Sequence, residues 1–143
     1  MSMGGTSVAY ALGELKNPAV KAAVIDSAYQ SPAIQLKAQG KKWHIPGFFL
    51  IPTLSVLVWI LLRVNLYQPV PDSLRKARIP VMVAHGMADS TVSLEQAKAN
   101  YDAIPGDKEW LPVEGAEHTL PLIVGGEAVQ NQVIAFYGQY MKA

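Results

Sequence analysis

Apolar residues follow two rhythms along this chain. Short, nearly unbroken runs bounded by turn formers occupy residues 20–26 (VKAAVID) and 79–86 (IPVMVAHG), and residues 108–113 (KEWLPV) make a third, more polar run that also reads as a strand. Between and after them, apolar positions recur every three or four residues. Unbroken runs of that length predict strands covered on both faces, as in a parallel sheet. Pro112 cannot donate to a ladder, so the third run is expected at the sheet edge. The helical spacing predicts three helices. Residues 4–15 would bury Val8, Ala11, Leu12 and Leu15, and Asn17-Pro18 would stop that helix. Residues 93–104 would open on a Ser93-x-x-Gln96 capping box and bury Leu94, Ala97, Tyr101 and Ile104. Residues 127–141 would bury Val129, Val133, Phe136, Tyr137 and Tyr140, with Gly125-Gly126 as loop and helix start. Strands alternating with helices predict an α/β fold with three mostly parallel strands.

Residues 31–78 break the rhythm. They hold Pro32, Pro46, Pro52, Pro69 and Pro71, and residues 45–62 carry no charge. An 18-residue uncharged run reaches the length of a membrane-spanning helix. Pro46, Gly47 and Pro52 crowd its first half, however, and leave residues 53–62 as uninterrupted helix. At ~1.5 Å per residue that stretch covers about half of a ~30 Å hydrocarbon core. The segment reads as a proline-broken apolar lid over a pocket, with membrane contact through residues 45–62 as the alternative.

Composition narrows the classes. The 143 residues are 50% hydrophobic and 16% charged, which suits one globular domain and excludes disorder. A net charge of +1, with RKAR at residues 75–78 as the densest basic run, lacks the footprint of a nucleic-acid binder. Cysteine is absent, so disulfides and thiolate metal sites are excluded.

The polar residues that interrupt this scheme are ordered. Ser2 stands before the first helix, Asp26 ends the first strand, Asp89 follows the second and His118 follows the third, where open α/β sheets bind ligands. "MSMGG", "IPVMVAHGMADSTV" and "LPVEGAEHTL" resemble the nucleophile elbow, the HG-x-x-D acid loop and the G-x-x-H base loop of the α/β-hydrolase superfamily. The "IDS" strand end and the segment Pro105-Gly106-Asp107-Lys108-Glu109 resemble its serine aminopeptidase-like branch. Acid and base stand 29 residues apart, room for one strand–helix unit.

The resemblance implies a serine hydrolase acting on an ester, thioester or amide with an apolar group, through an acyl-enzyme and without cofactor or metal. Ser2 would attack and His118 would take its proton, since a serine hydroxyl needs a base and imidazole titrates near neutrality. Asp89 would hold the imidazole tautomer, and the Met3 backbone N–H would give half of an oxyanion hole. Asp26 would shape the pocket or serve as reserve acid, and Leu57 and Leu61 would line the pocket. His85 is expected to pack at a strand end and His44 to be solvated. A metal site from His85, Asp89 and His118 lacks a further ligand.

The elbow lacks its first Gly and only three strands are present. The chain is therefore expected to be the C-terminal part of a hydrolase domain, residues 1–143 with the lid at 31–78. The second oxyanion donor would lie outside it, and efficient hydrolysis by these residues alone is not expected. The competing reading is a noncatalytic or membrane-associated binding module of the same fold.

Overall fold

The computed structural model describes residues 1–14, 16–42, 44 and 47–141. Three parallel strands, β1 (Ala23–Asp26), β2 (Val81–Gly86) and β3 (Lys108–Val113), stand in the order β1-β2-β3. All six residues of β2 are buried. Val81 and Val83 face one side, packed with Ala9 and Leu12 of α1 (Met3–Glu14) and Val70 and Leu74. Met82 and Ala84 face the other side, packed with Val129 and Phe136. This two-sided burial is why β2 reads as an unbroken apolar run. Pro112 lies on β3, at the end of the sheet as described.

Helices α2 (Pro32–Lys42), α3 (Gly47–Leu62) and α4 (Val70–Leu74) join β1 to β2, and α5 (Leu94–Ala103) joins β2 to β3. The chain closes with α6 (Pro121–Val124) and α7 (Gly126–Tyr140). The sequence suggested neither α2 nor α6. Helix α2 is started by Ser31, whose Oγ accepts the Ile34 N–H at 3.1 Å.

Four expectations need correction. On α1 the buried face is Gly5, Thr6, Ala9 and Leu12, while Val8 and Ala11 are exposed and Leu15 lies outside the described residues. Close approach decides this: a Cβ on Gly5 would stand 2.8 Å from the Asp26 carbonyl oxygen, so small side chains select the face. The first strand is shorter than residues 20–26 and starts at Ala23.

The Ser93 capping box does not form. Ser93 is the N-cap without a side-chain bond, and the Gln96 amide oxygen instead accepts the Gln30 N–H at 3.1 Å. Helix α3 starts at Gly47 and runs through Pro52 instead of starting beyond it. Pro52 is the sixth residue of this helix, and there it removes one helical donor without ending the helix. Ile45 and Pro46 lie outside the described residues.

Within the segment 31–78, Ala33, Ile51 and Leu66 make the small core of an α2–α3 lobe, flanked by Leu54 and Val58, whereas Val70, Leu74 and Ala77 pack into the core of the sheet. Among the described residues no helix is long and apolar enough to cross a membrane.

Candidate active site

The parallel register brings the C-terminal ends of the three strands to one edge of the sheet, and the loops that follow carry Ser27, Asp89 and His118. Ser2 joins them from the start of α1. Its backbone N–H donates to the Asp26 carbonyl at 2.9 Å, which ties the turn to the end of β1. Ser2 has φ 50°, a left-handed conformation that costs a non-glycine residue energy and tips the side chain out of the chain path. Ser27 (φ 51°) and Thr119 (φ 63°) share that strain within the same cluster.

Side chains from these loops meet in a relay. His118 Nε2 lies 2.8 Å from Ser2 Oγ, and His118 Nδ1 lies 2.8 Å from Asp89 Oδ2. The Asp89 side chain is fully buried, while the His118 side chain keeps 20% exposure. Burial of Asp89 is compensated, because its Oδ1 accepts the backbone N–H groups of Thr91 and Val92, each at 2.8 Å. The carboxylate is thus held at one oxygen and offers the other to the imidazole. Met3, the first residue of α1, has an exposed side chain, and its N–H belongs to the helical turn whose donors lack intrahelical acceptors.

Three contacts that the sequence did not disclose align the loops. Ser27 Oγ donates to Asp26 Oδ1 at 2.8 Å and accepts the Thr119 N–H at 3.2 Å, which anchors the residue after His118 to the end of β1. Glu117 Oε2 accepts from the Ser90 N–H at 3.3 Å and the Ser90 Oγ at 3.2 Å, clasping the loop of His118 to that of Asp89. Gly86 lets these loops touch, since a Cβ there would meet the Ala116 carbonyl oxygen at 2.2 Å. The Asp-Ser pair at a strand end and the His-Gly pair were the only signals in the sequence.

The remaining expected residues fall elsewhere. It is Asp89, not Asp26, that reaches His118. Asp26 is buried beneath the site, and burial, only partly offset by the Ser27 hydrogen bond, pushes its carboxyl above the usual range. His85 is fully buried on β2 with Nε2 3.2 Å from the Val92 carbonyl oxygen, and burial pushes its imidazole below the usual value. His44 is exposed. Among the described residues no group of His, Asp and Glu is arranged to hold a metal ion.

A cavity of about 780 Å³ lies between α2 and α3, lined by Ala33, Ile34, Ile51, Pro52 and Tyr67, with Lys37 and Lys41 also contributing. Leu57 and Leu61, expected in the pocket, do not line it; they are 51% and 68% exposed. Ile51, Leu54 and Val58 form the stripe that packs with Ala33 of α2; Leu57 stands at the flank of that stripe, and Leu61, which follows Val58 on nearly the same side, lies in the last turn of α3 beyond the small core.

No family model matches this chain, and no curated protein matches it. Solved structures do. The esterase domain of a Rhodothermus marinus protein is 22% identical with TM-score 0.67, over 99% of this chain and 60% of that one. An esterase of Pyrococcus furiosus is 19% identical with TM-score 0.69, over 99% of this chain and 52% of that one. An acylaminoacyl peptidase of Pyrococcus horikoshii is 12% identical with TM-score 0.68, over 99% of this chain and 23% of that one. The chain therefore has the α/β-hydrolase fold, and it spans a little over half the length of the two esterase chains.

Proposed function

We propose that Ser2, His118 and Asp89 form the triad of a serine hydrolase that cleaves an ester, thioester or amide bond. The observation that supports this reading is the unbroken Ser2–His118–Asp89 relay at 2.8 Å and 2.8 Å on loops at one end of a parallel sheet. Ser2 Oγ attacks the carbonyl carbon while His118 Nε2 takes its proton, and Asp89 stabilises the imidazolium through Nδ1–H. The negative charge that develops on the carbonyl oxygen is met by the Met3 N–H. His118 then protonates the departing alcohol, thiol or amine. Water, deprotonated by the same imidazole, opens the acyl-enzyme and restores Ser2. The apolar part of the substrate would occupy the cavity between α2 and α3, whose Ile51 and Ala33 belong to the apolar core of the lobe. The esterase and peptidase names of the structural neighbours favour this class of bond without choosing within it.

The test is labelling of the chain by a fluorophosphonate, with hydrolysis of p-nitrophenyl esters followed in parallel. Labelling is expected in the unsubstituted chain and absent in Ser2→Ala. His118→Ala should lower turnover by at least about a thousandfold. Equal labelling of the parent and Ser2→Ala would overturn the assignment. No labelling of the parent would favour a noncatalytic module of the same fold.

A further inference from the structure

The outer face of α3 is apolar and uncovered. Leu57, Trp59, Ile60, Leu61 and Leu62 are each more than half exposed, Trp59 and Ile60 on the side away from the stripe of Ile51, Leu54 and Val58, Leu57 at its flank, and Leu61 and Leu62 past its end in the last turn. Few side-chain hydrogen-bonding groups stand on residues 54–62. Ser55 is buried and its hydroxyl donates back to the Ile51 carbonyl at 2.7 Å, which leaves the Trp59 indole N–H. A protein partner ordinarily supplies and receives about one hydrogen bond per 100–200 Å² of interface, and this face has almost nothing to exchange. Hydrocarbon asks for none.

Charge identifies the kind of hydrocarbon surface. Residues 27–71 contain four cations, Lys37, Lys41, Lys42 and Arg63, and no Asp or Glu. The other eight cations of the chain share their segments with all eleven carboxylates. Two of the four, Lys41 and Lys42, close α2 just before α3, and Arg63 follows α3 directly with its guanidinium 4.9 Å from the Trp59 ring centroid. Cations at both ends of a 16-residue helix suit one lying flat at the level of lipid phosphates, with an aromatic residue at the water–lipid boundary. They oppose a second copy of the chain, because two such lobes face to face would bring eight cations together without a carboxylate.

We propose that the α2–α3 lobe docks on an anionic lipid bilayer, with the outer face of α3 in the acyl boundary and Lys37, Lys41, Lys42 and Arg63 on lipid phosphates. Lys37, Lys41 and Pro52 also line the cavity between α2 and α3, so docking sets that cavity beside the lipid. The docking does not rest on Ser2 or on hydrolysis.

Flotation of the 143-residue chain with lipid vesicles in a sucrose gradient tests this, since aggregates sink while vesicle-bound protein rises. Vesicles of phosphatidylcholine mixed with phosphatidylglycerol should carry the chain upward and blue-shift Trp59 emission, with phosphatidylcholine alone doing neither. The Ser2→Ala chain should float equally. Reversing three charges (K37E/K41E/R63E) should weaken binding by at least about a hundredfold, as should added salt. The triple change L57S/I60S/L61S lies on the exposed face, so its circular dichroism should match the parent while its flotation is lost. Equal flotation with both vesicle types, protein that stays at the bottom with both, or a soluble dimer that L57S/I60S/L61S converts to monomer would each overturn the proposal.

Discussion

At Asp26 a carboxylate oxygen, Oδ2, is buried without a hydrogen-bond partner, while Oδ1 accepts from Ser27. Burial favours the neutral acid, so the folded-state pKa lies above the unfolded value of ~3.9. The sign follows: the folded state binds more protons between the two values, and stability falls as pH rises from the unfolded value through the raised folded one. Asp26→Asn is therefore expected to raise the thermal midpoint at neutral pH and to leave it unchanged below pH ~3.9, as read by calorimetry at both pH values. A lower midpoint at neutral pH would mean that the ionised carboxylate stabilises this end of β1. His85 works in the opposite direction. Its imidazole is kept neutral by burial, so protonation costs stability as pH falls below ~6.5. The candidate relay residues Ser2, Asp89 and His118 were legible because each stands in a short motif at a strand or helix end. The contacts that align them were not legible, since the Ser27–Thr119 and Ser90–Glu117 bonds join residues 92 and 27 positions apart and depend on loop geometry.

Helix α5 shows how an element carries more than its apolar stripe. Ala97 and Ile104 are buried as its spacing predicts, yet Gln96 and Asn100 are buried with them. Asn100 Nδ2 donates to the Ala28 carbonyl at 3.0 Å and lies 3.4 Å from that of Tyr29, and Gln96 Oε1 holds the Gln30 N–H. These side chains replace the backbone partners that the chain loses as it leaves β1 for the lobe. Asn100→Ala should cost about 1–3 kcal/mol, because it strands buried carbonyls, and the loss should appear as a lower urea midpoint at unchanged m-value. A smaller cost would show that water replaces the amide there. Pattern reading found the strands and α7 because burial on one or both faces writes itself into the sequence. It misjudged the face of α1, where proximity favours Gly5 and Ala9, and the burial of Leu57 and Leu61 on α3, where apolar residues occupy every side and periodicity is silent.

The whole molecule is two structures of unequal strength joined at the end of β1. The sheet is clamped by large clusters on both faces, one with α1, α4 and α5 and one with α7. The α2–α3 lobe has its own core of Ala33, Ile51 and Leu66, and among the described residues it is tied to the rest by the Gln35 amide to the Thr91 carbonyl at 3.0 Å and, just past α3, by the Tyr10 hydroxyl to the Gln68 carbonyl at 2.6 Å. Little apolar burial and an exposed outer face mean that the lobe opens without unfolding the sheet. Hydrogen exchange should therefore show the amides of α2 and α3 opening at about 3 kcal/mol lower free energy than those of β2, roughly a hundredfold in exchange rate. Anionic vesicles should slow α3 and leave β2 unchanged, because bound lipid stabilises only the docked, folded lobe. Equal protection of α3 and β2 in the free chain would show one cooperative unit, in which the cavity between α2 and α3 changes shape only when the whole fold does. If the lobe opens separately, access to that cavity is governed by the lobe alone, and the sheet holds Ser2, His118 and Asp89 in register throughout.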